Sequence, residues 1–397
     1  MSATSKNNHR TTLAASCGAH LIQDGLVALH YVLLPVLAQA FSLGYAQVGL
    51  LKGIGYTATV LLEIPAGMAA EKRSELPLMA FGLICAGLGY LGVAMSPSFL
   101  VVAFFFLVAG AGAGFQHSLS SSLLVRTFKG PDRRRALGHY NSAGDAGKLI
   151  FTGIFSLATG AGIGWNWVVV ALALTAIVFG FYIGQLIPRA YSDWQSKDTP
   201  TPHTSTGWGI LSGHRFSALA IMVFLDSTVQ AVFLTFLAFV LLSKGASEGT
   251  ASFAVVLALS GGMVGKFCCG HLAARIGDRK TFGILQVLTV FGIFALIILP
   301  VTSLMIILPV IGLAVQGSST VTYGSVSDFI AENRQARGYA LIYSFANGAS
   351  IGGPFLFGLI ADFWSLHYAM WMLIALILLT LPFSAVLANH RAIKDLA

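Results

Sequence analysis

Two aspartates, Asp24 and Asp226, stand 202 residues apart, each near the middle of a long apolar run. Other chemistry-bearing residues recur at that offset. The segment Arg135–Ser142 falls on Arg337–Ser344, Asp145 falls on Asn347, and Gly67 falls on Gly270 one residue out of register. Asp145 and Lys148 are three residues apart, so on a helix they share a face and can pair. His20 and Asp24 are four apart and share another face, with Tyr31 continuing the stripe. Lys52 and Glu63 lie in the second apolar run, Gln116 and His117 in the fourth, and Lys266 in the eighth. An ionisable group at membrane depth costs at least ~2.5–3.5 kcal/mol on insertion scales, so such groups usually line a water-filled cavity or pair with one another.

Low dielectric disfavours the charged form of a carboxylate, which suits a residue that takes up and releases a proton. Asp24, Asp145 and Asp226 are therefore the candidate proton-coupling residues. Lys148 is the candidate contact for an anionic substrate, competing with Asp145, which would then take a proton. The plainer alternative is a static Lys148–Asp145 anchor. Gln116, His117, His20, Tyr31 and Asn347 complete the candidate substrate-binding set. His20, Asp24 and His117 offer a different chemistry, a divalent transition-metal site, although no His-rich tail or loop is present to gather metal. Gly110, Gly112 and Gly114 imitate a dinucleotide loop only in spacing, because they follow no strand and sit inside an apolar run. No nucleophile–base–oxyanion set is visible, so no enzyme and no cofactor are expected.

The elements that position these residues follow from composition. The chain has 397 residues, 56% hydrophobic and 10% charged, with a mean hydropathy of +0.80. About a quarter of an ordinary soluble domain is charged, so a soluble fold is excluded. A span needs about 20 apolar residues to cross about 30 Å of hydrocarbon. Twelve spans are expected, at 12–41, 46–70, 77–95, 99–127, 136–160, 165–187, 215–241, 249–273, 281–300, 302–328, 338–361 and 367–388. The first run is too long for a cleaved signal, so it is expected to remain as a span. Cys17, Cys85, Cys268 and Cys269 all fall in apolar runs without zinc spacing and are expected to be free thiols.

With an even number of spans both termini share a side. That side carries Lys6, Arg10, Arg126, Arg135, Arg275, Arg337 and thirteen further Lys or Arg, against Lys244 alone on the other. Both termini are therefore expected in the cytoplasm. The net charge of +8 is read as this asymmetry, with no nucleic-acid partner. A duplicated six-span unit with acids inside its spans is the pattern of a secondary transporter built from two pseudo-symmetric bundles. The expected bundles are residues 1–188 and 215–397, joined by a polar cytoplasmic loop at 189–214.

Gly270, Leu272, Arg275, Gly277, Asp278, Arg279 and Lys280, together with the degenerate first copy from Gly67 to Glu71, Lys72 and Arg73, resemble the loop signature of the major facilitator superfamily. The resemblance covers essentially the whole chain. It implies an all-α membrane protein of twelve helices in two six-helix bundles that rock about a central site. It also implies gating roles for Glu71, Arg275, Asp278, Arg135 and Arg337; Glu63 and Lys266, equivalent by the repeat, are candidate gate partners. Ala274 stands where the family usually has an acid. Gly114, Phe115, Gln116 and His117, followed by Arg133, Arg134 and Arg135, look like the fosmidomycin-resistance group of drug exporters, with Ser118 and Leu119 where that group has Pro-Glu. The expectation is a proton-coupled carrier of a small organic anion or amphipathic drug, working as a monomer in the cytoplasmic (inner) membrane, with efflux as its direction. The alternatives are a divalent-metal exporter and a non-transporting membrane receptor or scaffold.

Overall fold

In the computed structural model every long element is an α-helix, as apolar runs in lipid require, since a helix satisfies its backbone polar groups internally. The structure describes residues 3–72, 75–186, 209–331 and 335–387. The first half contains α1 (Ala3–Phe41), α2 (Tyr45–Lys72), α3 (Glu75–Ala94), α4 (Phe99–Ala113), α5 (His117–Thr127), α6 (Gly130–Gly160) and α7 (Trp165–Leu186). The second contains α8 (Gly213–Ser243), α9 (Glu248–Ile276), α10 (Asp278–Ile298), α11 (Val301–Gly324), α12 (Gln335–Phe363) and α13 (Leu366–Phe383). α4 and α5 together form one span, so the described helices make twelve segments.

Ten of these segments are long and apolar enough to cross a membrane. α2 and α6 are not among the ten; they carry Lys52 and Glu63, and Asp145 and Lys148, respectively. The charge that disqualifies them by composition is the charge that makes them chemically interesting. Helices in each unit expose bulky apolar side chains, Leu100, Phe104 and Trp167 in the first and Phe291, Ile306 and Phe363 in the second, the surface expected of helices that face lipid.

The chain clusters into two compact units. The first comprises 1–42 and 51–203. The second comprises 204–397 together with residues 43–50, where the Asp362 carboxylate accepts from the backbone N–H groups of Tyr45 and Ala46 at 2.8 Å each. Most of the expected tether, 189–214, falls outside the described residues. Inside the first unit α1 packs on α6, α3 on α7, and α2 on α4, where Thr59 Oγ1 donates to the Gly110 carbonyl at 3.0 Å. Inside the second, α8 packs on α12, α10 on α13, and α9 on α11. Counted as spans, the pairs are first with fifth, third with sixth and second with fourth, in both units. The sequence repeat is thus a repeat of packing.

Small residues set how close these helices come. A Cβ at Gly147 of α6 would run into the Leu21 carbonyl of α1, so only glycine permits that crossing. Ser247 caps α9 by accepting from Thr250 N–H at 3.3 Å, and Ser365 caps α13 by accepting from Tyr368 N–H at 3.1 Å. Gly277, between α9 and α10, adopts φ 91°, a backbone conformation that other residues rarely reach. This explains the glycine in the signature loop.

Two boundaries differ from the sequence expectation. α1 begins at Ala3 rather than near residue 12, because its polar first turns continue the helix. The expected single helix 99–127 breaks at residues 114–116, where Gln116 takes φ −102° and ψ −63°. The break falls where the apolar run Phe99–Ala113 gives way to the polar stretch from Gln116 to Ser122, a change that span length alone reads as one continuous helix.

Candidate functional site

α1, α5 and α6 bring five of the expected residues to one place in the first unit. Asp24 is buried on α1, with its Oδ2 3.0 Å from Lys148 Nζ of α6. Lys148 Nζ also donates to Asp145 Oδ1 at 3.1 Å. The helix break delivers His117 to the first turn of α5, where its Nε2 lies 3.5 Å from Asp24 Oδ1. His20 Nε2 lies 3.4 Å from Asp24 Oδ2. Behind His117, buried Gln116 donates from Nε2 to Ser120 Oγ at 2.9 Å.

The protonation pattern of His20 follows from its other nitrogen. Nδ1 lies 2.8 Å from the Tyr140 carbonyl, which can only accept, so Nδ1 carries hydrogen. The ring stacks on Tyr140 at 3.9 Å between centroids, which fixes its plane. Nε2 is then the nitrogen facing Asp24. If the imidazole is neutral, a lone pair faces a carboxylate, and something positive is needed between them. The charge count says the same: two carboxylates meet one ammonium, so one more positive charge completes the cluster. A proton on His20, His117 or a carboxylate supplies it.

A second group of residues surrounds Lys52 on α2. Its side chain is 0% exposed and its Nζ has no hydrogen-bond partner. The ammonium instead lies over the Tyr31 ring at 3.9 Å and the Tyr56 ring at 4.7 Å. Such cation–π contacts contribute ~0.5–2 kcal/mol each, less than an ion pair would. His30 stacks on Phe106 and sits with its Nδ1 2.9 Å from both the Val27 carbonyl and the Tyr90 hydroxyl.

The repeat partner of Asp24 has a different setting. Asp226, buried on α8, accepts from Gln286 Nε2 of α10 at 2.7 Å, from Ser318 Oγ of α11 at 2.9 Å and from Gln230 Nε2 at 2.9 Å. All three donors are neutral. The reason is legible at the repeat offset: Ser350 occupies the place of Lys148, Asn347 that of Asp145, Met222 that of His20 and Ser319 that of His117. Among the described residues the ionisable cluster lies in the first unit, and Asn347 is a partly buried residue of α12.

The expected gating residues are less concentrated. Glu63 is partly buried on α2 in the first unit, and Lys266 lies on α9 in the second, where its carbonyl accepts from Thr320 Oγ1 at 3.2 Å. Asp278 opens α10 and accepts from Ser325 Oγ at 2.9 Å; Arg275 is exposed at the end of α9. Arg135 is exposed, 3.6 Å from Asp132. The side chains of Glu71 and Arg337 lie outside the described part of the structure. Sequence reasoning did not anticipate the ion pair between Arg126 of α5 and buried Glu75 of α3, to which Ser122 Oγ also donates at 3.4 Å. It also passed over Gln286, a lone amide in an apolar run whose isolation was its signal.

Comparison with known proteins follows this geometry. The chain matches the Major Facilitator Superfamily over residues 17–242 and again over 219–395. It is 26% identical over 186 residues to an uncharacterised MFS-type transporter, YfnC, of Bacillus subtilis (strain 168); the match covers 45% of this chain and spans 45% of that relative's length. In fold it is similar to a bacterial homologue of the human lysosomal transporter Spinster, solved inward-facing and unoccupied, with a TM-score of 0.81 at 15% identity over 98% of each chain. It is also similar to the nucleoside transporter NupG, with a TM-score of 0.77 at 14% identity over 94% of this chain and 99% of that one. With twelve helical segments, a packing repeat within its two units and family matches that together run from residue 17 to 395, this multi-pass membrane protein belongs to the Major Facilitator Superfamily, a family of transporters and not of enzymes.

Proposed function

We propose that the chain is a proton-coupled secondary transporter that exports a small organic anion or amphipathic drug. The observation that supports this best is the placement of Lys148 between Asp24 and Asp145 with His20 and His117 against Asp24. The ammonium is held by two carboxylates that a proton can neutralise one at a time. A proton on Asp24 or Asp145 loosens one arm of the pair, and an anionic group can then meet Lys148. Proton binding and anion binding are thereby linked at one centre, as coupled transport requires. Asp226 adds a second buried acid, whose three neutral donors bring hydrogen bonds but no compensating positive charge. The two bundles are proposed as residues 1–188 and 215–397, and alternation between them would expose this centre to each side in turn.

The basic residues concentrated in one set of loops support a cytoplasmic-membrane location with both termini inside. The Gly114 to His117 stretch and the arginines from Arg133 support a kinship with the fosmidomycin-resistance exporters. A monomer is the proposed working unit. The change in bound protons on adding candidate organic anions to the purified protein, in weakly buffered detergent solution, tests the proposal. Proton uptake is expected from wild type, because an anion on Lys148 favours the protonated carboxylate, and is expected to be lost in Asp24→Asn or Asp145→Asn. Unchanged transport in Lys148→Ala at normal protein levels would remove the anion role of that lysine.

A second reading, divalent-metal export, rests on one geometric fact. The ligand atoms of His20, Asp24 and His117 lie within 4.8 Å of one another. A tetrahedral ion with ligands at ~2.1 Å needs them ~3.4 Å apart; His20 Nε2 is 3.4 Å from Asp24 Oδ2, and His117 Nε2 is 3.5 Å from the other oxygen, Oδ1. Against it, the Lys148 ammonium shares Asp24 Oδ2 with His20 and would repel a cation there. Thermal stabilisation by zinc or cobalt that disappears in His20→Ala would favour the metal reading over the organic anion.

A further inference from the structure

We propose that Lys52 is a second anion-binding position, two helical turns along α1 from the Asp24–Lys148 pair, where the anionic group of the carried molecule is held against Tyr31 and Tyr56. The inference rests on the organic-anion reading above and adds the residue that recognises the charge.

The argument starts from a contrast between two lysines of the same unit. Lys148 meets two carboxylates. Lys52 meets none among the described residues, is fully buried, and its Nζ lacks any hydrogen-bond acceptor. An ammonium closed off from water and left without a counter-ion is among the least favourable arrangements a fold can hold. The chain nonetheless places it there and lays two tyrosine faces against it at 3.9 and 4.7 Å. These faces orient the amine and supply no counter-charge, so an anionic ligand would bring the charge that favours its ammonium form. The Nε2 atom of His30, a residue within reach of the Lys52 charge, is likewise buried without a partner.

The place is connected to the centre already described. Tyr31 follows Asp24 by seven residues, two turns on the same face of α1, or about 10 Å. Both tyrosines lie within electrostatic reach of Asp24, and Tyr56 also of Lys148. A molecule with an anionic end at Lys52 and an apolar body along Tyr31 and Tyr56 would therefore reach the proton-binding cluster. Its negative charge at Lys52 and a proton at the Asp24 cluster would together leave the interior of the unit neutral. Lys52 is closed to solvent in this conformation, so the ligand enters when the helices around α2 part. At the offset of 203 that pairs Glu63 with Lys266 and Gly67 with Gly270, Val255 takes the place of Lys52 and Leu259 that of Tyr56, and at 202 Phe233 takes that of Tyr31, so the second unit carries none of these side chains at the matching positions.

The test uses the purified full chain in detergent, titrated with benzoate and phenylphosphonate as anionic probes and with benzamide as the neutral match, reading the thermal midpoint. Wild type is expected to be stabilised saturably by both anions and not by benzamide. Lys52→Met should weaken the apparent affinity for the anions by at least about tenfold, while Lys52→Arg should stay within about threefold of wild type. Lys52→Gln, uncharged but polar, repeats the test if Lys52→Met fails to fold. Anion stabilisation that survives loss of the charge overturns the Lys52 position and leaves the organic-anion reading standing. A wild type indifferent to both anions, or equally stabilised by benzamide, overturns the two together.

Discussion

The Lys148 ammonium and the Asp24 carboxylate meet at 3.0 Å and so join α6 to α1 by charge as well as by packing. Asp145 holds the same ammonium from within α6 at 3.1 Å. Asp24→Asn should therefore be tolerated as a fold, because Lys148 keeps one partner. The expected loss is about 2 kcal/mol, below the ~3–5 kcal/mol seen when a buried charge is left wholly unpaired. Adding Lys148→Met should deepen the loss, because it removes the ammonium that Asp145 holds. Proton-driven transport should be abolished in the single variant. Thermal midpoints in detergent and pH-gradient-driven flux in vesicles check the two statements separately, and a single variant that retains driven flux would take Asp24 out of coupling.

Gly144 of α6 leaves the space that His20 and Asp24 occupy. A Cβ there would stand 2.5 Å from His20 Cε1 and 2.9 Å from Asp24 Oδ2. His20 cannot easily yield, since Tyr140 stacks on its ring and accepts from its Nδ1. Gly144→Ala is expected to destabilise by ~1–3 kcal/mol and to impair transport. Gly153, on the same helix with nothing within 4 Å of an added Cβ, is the control. Gly153→Ala should be neutral or stabilising by up to ~1 kcal/mol, the ordinary helix preference for alanine. Equal effects at the two sites would show that helix propensity, and not the His20–Asp24 space, governs the response.

Glu75 is buried at the start of α3 and depends on Arg126 of α5, with Ser122 as a weaker donor at 3.4 Å. Arg126 is about half exposed, so solvent screens its side of the pair. Arg126→Gln should cost about 1 kcal/mol, chiefly from the acid it leaves behind. Glu75→Gln with Arg126→Gln should cost less than the two single changes added together. A thermal double-mutant cycle reads the difference, and additivity would mean the pair contributes nothing to stability.

The repeat made much of this legible in advance. Apolar run length gave twelve segments, and the offset of 202 paired Asp24 with Asp226 and Asp145 with Asn347. Helical spacing brought His20 to Asp24 and Lys148 to Asp145, since both are relations within one turn. Relations between helices were not available in that way. Nothing in the spacing says that Lys148 reaches Asp24 from another helix, or that Arg126 reaches Glu75 across 51 positions. The break before His117 coincides with the change from apolar α4 to polar α5, which span length reads as a polar stretch of one helix, and the missing charge partner of Lys52 is a fact of packing that no local pattern records.

Asp226 offers the sharpest separation of charge from hydrogen bonding. Its three partners, Gln286 Nε2, Ser318 Oγ and Gln230 Nε2, are all donors, so the carboxylate accepts from every side. Asp226→Asn replaces one accepting oxygen with a donating NH₂ group. At Oδ2 two donors would then face a donor, or at Oδ1 one would, and the amide should orient to leave the smaller conflict, with its NH₂ toward Gln286. Leaving a buried donor unsatisfied costs about 1–3 kcal/mol, so the thermal midpoint should fall. Gln286→Glu added to Asp226→Asn restores a donor–acceptor match, because the new carboxylate can accept from the asparagine NH₂ that now faces it. The double variant should recover stability that the single variant lost. Failure to recover would mean that the charge of Asp226 at its own position, and not the donor–acceptor match, stabilises the contact between α8 and α10.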